Sequence, residues 1–89
     1  MIRRRYVFTG RVQHVGFRWR ARRAAEKFGC TGWCGNNPDG SVSMEIQGSR
    51  ARIGLVVMAV RSSRAIRILH MEHTSLPVVP DERGFISRY

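Results

Sequence analysis

Eighty-nine residues leave room for one domain, 1–89, with a single modest core and no second lobe. Apolar residues make up 43% and charged residues 25%, a globular balance that excludes disordered and fibrous classes, and no apolar run approaches the roughly 18 residues of a membrane span. The net charge of +10, from fifteen Arg and one Lys against six acidic residues, attracts anions; it leaves nucleic acid, acidic lipid surfaces and small phosphorylated metabolites open as partners.

The opening Met1-Ile2-Arg3-Arg4-Arg5 looks like the basic part of a signal peptide, but the apolar stretch 6–10 is too short for its hydrophobic part and Arg11 interrupts it, so a cytoplasmic protein is expected. Residues 5–12 alternate, Tyr6 and Phe8 against Val7, Thr9 and Arg11, and predict a strand. A short loop, 13–17, follows. From 18 to 28 the spacing of Ala21, Ala24, Ala25 and Phe28 draws one apolar stripe on a helix, which Gly29 ends as a C-cap. Two strands, 31–36 and 41–47, flank Asn37-Pro38-Asp39-Gly40, whose residues supply the dihedrals of a tight reversal. Gly48-Ser49 precedes a second amphipathic helix over 50–60, with Ile53, Val56, Val57 and Val60 on its apolar side. A weakly patterned strand at 66–72, a loop at 77–82 and a short closing strand at 85–89 complete the chain.

The order is β-α-β-β-α-β with an additional edge strand. Two βαβ-like halves around a central hairpin predict an α+β fold: a ferredoxin-like (split βαβ) sandwich, an antiparallel sheet with two helices on one face. Cys30 and Cys34 would lie about 13 Å apart on one extended strand at roughly 3.3 Å per residue, too far for a disulfide. No second Cys/His pair stands at zinc-finger spacing, and two free thiols in a reducing compartment are expected.

The stretch Gly10-Arg11-Val12-Gln13-His14-Val15-Gly16-Phe17-Arg18 joins a strand to a helix, where backbone N–H groups can converge beside the positive end of the helix on a phosphate-sized anion. Arg18 at the junction would add a planar fork of donors for two phosphate oxygens. Without further context, the plainer reading is that Gly16 makes a turn and Arg18 is a solvated helix-start residue. Asn36 has a bland reading too, since Asn before Pro-Asp-Gly often only shapes the reversal.

The string G-R-V-Q-H-V-G-F-R closely resembles the acylphosphatase signature, in which a glycine normally stands in place of His14. Gly32-Trp33-Cys34-Gly35-Asn36, followed by Asp39-Gly40-Ser41-Val42 and Gln47-Gly48, is similar to that family's second motif at the expected separation. The resemblance implies an enzyme that hydrolyses the carboxyl-phosphate bond of small acyl phosphates without a cofactor and releases inorganic phosphate. By matching positions, Arg18 would bind the phosphate and Asn36 would orient the attacking water. The amides of Gln13, His14, Val15, Gly16 and Phe17 would complete the cradle. Such roles make chemical sense, because placed donors stabilise phosphoryl charge and a fixed water gains from orientation. The leaving group is a stabilised carboxylate, so no acid–base pair and no metal is required. A carboxamide is a poor base, so the water's proton would pass to the substrate's own phosphate oxygen.

Two positions depart from the pattern. His14 enters left-handed backbone less freely than glycine and would distort the loop or point outward, and Gly35, where relatives commonly carry a larger residue, would loosen the strand end. Trp33 and Cys34 alternate, so one faces the helices and the other the open face of the sheet. Trp19 and Arg20 could touch the acyl part of a substrate near the pocket mouth, although surface packing is the plainer reading. Two other functions compete: a catalytically weakened phosphate-binding scaffold, favoured by His14 and Gly35, and an RNA-binding module using Tyr6, Phe8 and the basic surface. The second lacks aromatic residues on strand 41–47, so the expectation is a monomeric enzyme with neither membrane nor nucleic acid as partner.

Overall fold

The computed structural model describes residues 1–88; Tyr89, the last residue of the expected closing strand, lies outside the described residues. Strand β1 (Ile2–Arg11), helix α1 (Phe17–Phe28), β2 (Thr31–Asn36), β3 (Val42–Gly48), helix α2 (Arg50–Arg61), β4 (Arg67–Leu76) and β5 (Phe85–Arg88) follow in chain order. The sheet order is β4-β1-β3-β2-β5. The β1–β3, β1–β4 and β2–β3 pairs are antiparallel, and β5 joins β2 in parallel, which makes the ferredoxin-like sheet mixed at that one edge.

Alternation along the strands sorts the two faces. Tyr6 and Phe8 on β1, Cys34 on β2 and Val42, Met44 and Ile46 on β3 are buried, beneath a helical layer that contributes Phe17, Ala21, Ala24 and Ala25 from α1 and Ile53, Val56, Val57 and Val60 from α2. The Phe17 ring packs on Phe8 with centroids 4.9 Å apart. Burying a phenylalanine contributes about 1.5–3 kcal/mol, so this contact pins the first residue of α1 over β1 and fixes where the preceding loop ends.

Two strands run past their predicted limits. β1 begins at Ile2 because Arg3, only 4% exposed, is neutralised within the fold: its guanidinium donates to Glu82 at 2.7 Å, to Glu45 at 3.1 Å and to Gln47 at 3.3 Å. β4 extends to Leu76 through His73, Thr74 and Ser75, which pair with Tyr6, Arg5 and Arg4 at an exposed edge where no apolar alternation is needed. Residues 77–84 then carry the chain from the β4 edge to the opposite edge. Gln47 grips this strap by donating to the Val79 carbonyl (2.9 Å) and accepting from the Val79 amide (2.8 Å), and Thr31 donates to Glu82 at 2.7 Å. Burial pushes the Glu82 carboxyl up, but the hydrogen bonds from Arg3 and Thr31 and the Arg3 charge outweigh it and hold it below the usual carboxylate range.

Candidate active site

The loop between β1 and α1 is held at both ends. Val12 is buried at one end and Phe17 at the other. Between them the Gln13 side-chain amide donates to the carbonyls of Asn37 (2.8 Å) and Ser41 (2.9 Å), tying the loop to the β2–β3 turn. His14 and Gly16 both adopt left-handed backbone, with φ of 61° and 80°. Alternating backbone hands of this kind make the chain concave, with its amides turned inward.

Gly16 is the N-cap of α1, and among the described residues no side chain caps that helix start. The first intrahelical bond runs from the Arg20 amide to the Gly16 carbonyl at 3.0 Å, so the preceding amides have no acceptor within the helix. They carry the positive end of the helix dipole toward a pocket of about 400 Å³ whose wall includes His14, Gly16, Phe17, Arg18 and Asn36. The half-buried Arg18 donates from Nη1 to the Arg88 carbonyl at 2.7 Å. β5 therefore lies against the guanidinium that the sequence placed at the loop–helix junction.

Asn36 ends β2 opposite Val42, on the helix side of the sheet with Cys34, and this brings its carboxamide to the pocket wall. Its neighbour Asn37 is engaged differently: Nδ2 donates to the Ser41 and Ser43 hydroxyls, both at 2.8 Å, and shapes the reversal. Asp39 adds to that turn by accepting from the Ser41 amide and hydroxyl. The turn-shaping role thus falls to Asn37 and Asp39.

Of the residues named from the sequence, His14, Gly16, Phe17, Arg18 and Asn36 share this pocket, whereas Gln13 and Val15 do not line it. Gln13 braces the loop and Val15 packs against the core. Trp19 is on the wall; Arg20 is not, and its Nη1 donates instead to the Ala59 carbonyl of α2 at 3.2 Å. Val12, Arg22 and Ser87 also line the pocket. Arg22 was legible as one helical turn beyond Arg18, but nothing local marked Ser87, which arrives through the β2–β5 pairing. At Gly35 a Cβ would stand 3.2 Å from the Arg88 Cβ and 3.3 Å from its carbonyl oxygen, so a larger residue there would require β5 to shift slightly away from β2.

Cys34 lies beneath the same region, its Sγ 4.0 Å from the Arg18 carbonyl oxygen. Burial pushes this thiol up to about 12 in spite of the Arg18 charge, so it stays protonated near neutrality and is no nucleophile. Trp33 faces the other side of the sheet, with the guanidinium carbons of Arg88 and Arg5 at 4.7 and 5.8 Å from its ring centroid. Tyr6 and Phe8, the stacking residues an RNA-binding surface would need, are buried at 4% and 0% exposure.

Comparison with known proteins converges on one family. The acylphosphatase family model matches residues 4–86. The chain is 38% identical over 77 residues to an acylphosphatase from Lactobacillus johnsonii, covering 86% of this chain and 84% of that protein. It is 33% identical over 90 residues to one from Clostridium beijerinckii, with full coverage of both. In three dimensions it superposes on the crystal structure of acylphosphatase from Bacillus subtilis with a TM-score of 0.90 at 29% identity, covering all of both chains.

Proposed function

This chain belongs to the acylphosphatase family, hydrolases acting on acid anhydrides, and from that premise we propose that it hydrolyses small acyl phosphates with Arg18 and the loop amides holding the phosphoryl group and Asn36 orienting the water. One observation carries the reading: an uncapped helix start with its guanidinium and a carboxamide from the end of β2, two segments distant in sequence, line a single pocket. The amides of residues 14–17 and Arg18 meet the phosphoryl oxygens, where positioned donors in a partly desolvated hollow stabilise the charge that builds in the transition state. Asn36 fixes one water opposite the leaving oxygen, so that attack is in line.

The water oxygen forms a bond to phosphorus as the bond from phosphorus to the acyl oxygen breaks, and that electron pair leaves on the carboxylate. The water's proton passes to a phosphate oxygen, since a carboxamide accepts none near neutral pH. The products are a carboxylate and inorganic phosphate. We read residues 1–89 as one monomeric domain, supported by the single core beneath one sheet, and its two buried free thiols suit a reducing cytoplasm.

Hydrolysis of benzoyl phosphate by the wild type, Arg18→Ala and Asn36→Ala, in the presence of a chelator, tests the assignment. Turnover by the wild type that each substitution lowers by roughly 10²–10³-fold is expected. Phosphate binding without turnover would instead identify a scaffold that has lost catalysis.

A further inference from the structure

The pocket extends beyond the phosphoryl site. Arg22 stands one helical turn after Arg18 on the same face of α1, about 6 Å along the axis, and both line the pocket together with Trp19. Trp19, 64% exposed, also forms one wall of a second hollow of about 480 Å³ whose cations are Arg20, Arg23 and Lys27. The Arg23 guanidinium lies 5.0 Å from the Trp19 ring centroid and braces the ring between the two hollows. Among the described residues, no Asp or Glu lines either one. Arg22 meets Glu26 at 3.5 Å, but both side chains are more than half exposed, so the pair is weak and exchanges readily for another anion.

We infer that the acyl phosphates this site selects carry a second anionic group on the acyl part, which crosses Trp19 and ends on Arg22 and Arg23. The inference rests on the proposed function and deepens it. With the phosphoryl group at the start of α1, a short chain ending in a carboxylate or phosphate reaches the next turn of the helix, about 5–6 Å away. There it meets guanidinium donors that a neutral acyl group leaves unused. The indole face supplies apolar contact for the intervening carbons.

The test compares kcat/KM for acetyl phosphate, butyryl phosphate and succinyl monophosphate, the last two matched in length and differing in the terminal carboxylate. The expected result is about a tenfold preference for succinyl over butyryl monophosphate near 0.15 M salt, the sum of two modest charge contacts. That ratio falls to within about twofold in Arg22→Ala and drops partway in Arg23→Ala. Arg50→Ala removes the same charge at the start of α2; that end is remote, because α1 begins beside the end of α2, as the Arg20–Ala59 contact shows. It keeps the ratio. Equal wild-type values for the two substrates, or an equal fall in Arg50→Ala, would overturn the inference and leave the proposed function standing. If none of the three substrates is hydrolysed, the proposed function fails and this inference fails with it.

Discussion

Helix α1 and helix α2 begin at opposite ends of the sandwich and treat their first amides in opposite ways. At α2, the Ser49 hydroxyl accepts from the Arg52 amide at 3.2 Å, an ordinary N-cap. At α1, Gly16 offers no side-chain acceptor, and the loop before it turns concave through the left-handed His14 and Gly16. The α2 end is sealed further by the strap, where Arg3, Gln47 and Thr31 engage Glu82 and Val79. Uncapped donors cost stability, so leaving them at one end and satisfying them at the other separates a site from a scaffold. If that contrast is right, substitutions at the α1 end change rate and substitutions at the α2 end change stability.

The largest effect belongs to the pocket. Arg18→Ala and Asn36→Ala should each lower kcat/KM by roughly 10²–10³-fold, the usual cost of losing a preorganised donor, while stability changes by no more than about 1 kcal/mol. Steady-state kinetics beside thermal melts measures both. A variant that lost a comparable fraction of stability and activity together would erase the distinction between the two ends.

At the sealed end, Glu82→Gln keeps an acceptor for Arg3 and Thr31 but removes the charge, and should cost about 1–2 kcal/mol with kcat/KM unchanged. The pH dependence gives a sharper reading. Because the folded carboxyl is held below its unfolded value, its contribution is present above the unfolded pKa, about 4.3, and is lost as pH falls through the lower folded value. Urea melts from pH 6 to pH 3 should show that loss in the wild type and a smaller one in Glu82→Gln. Parallel curves would mean that Glu82 titrates alike folded and unfolded.

Ser49→Ala addresses the capped helix directly. About 1 kcal/mol of stability should go, a fall in Tm of roughly 4–8 °C for a domain of this size, and turnover should not change. A loss below about 0.3 kcal/mol would show that the cap is dispensable, and the contrast between the helix starts would then lose its energetic basis.

How much of this could be read from the chain depends on how local each cause is. The helices, the hairpin and the sandwich were legible because apolar periodicity and the Pro-Asp-Gly turn act within a few residues. That Arg18 and Asn36 line one pocket was expected from two motifs at a known separation, whereas Asn37 engages Ser41 and Ser43 instead. The early start of β1 was hidden because Arg3 becomes a strand residue only through Glu45 and Glu82, 42 and 79 positions away. The packing at Gly35 was hidden for a similar reason. Its missing side chain matters only once Arg88 lies beside it, and the same long-range pairing delivers Ser87 to the pocket.

The smallest effect is the most delicate test of the α1 loop, because it concerns the one motif position where this chain departs from glycine. His14 already adopts the φ of 61° that the concave loop requires, so His14→Gly need not move the backbone. Left-handed geometry costs a non-glycine residue roughly 1–2 kcal/mol, and glycine returns about 0.5–1 kcal/mol of that through the greater entropy of its unfolded chain. The net gain in stability should therefore be at most about 1.5 kcal/mol, and kcat/KM should change by less than about threefold, since 1 kcal/mol corresponds to roughly fivefold and little of it acts on the transition state. A gain of a hundredfold or more in kcat/KM would show that histidine holds the amides away from their productive arrangement. The uncapped helix start would then be a damaged site rather than a prepared one.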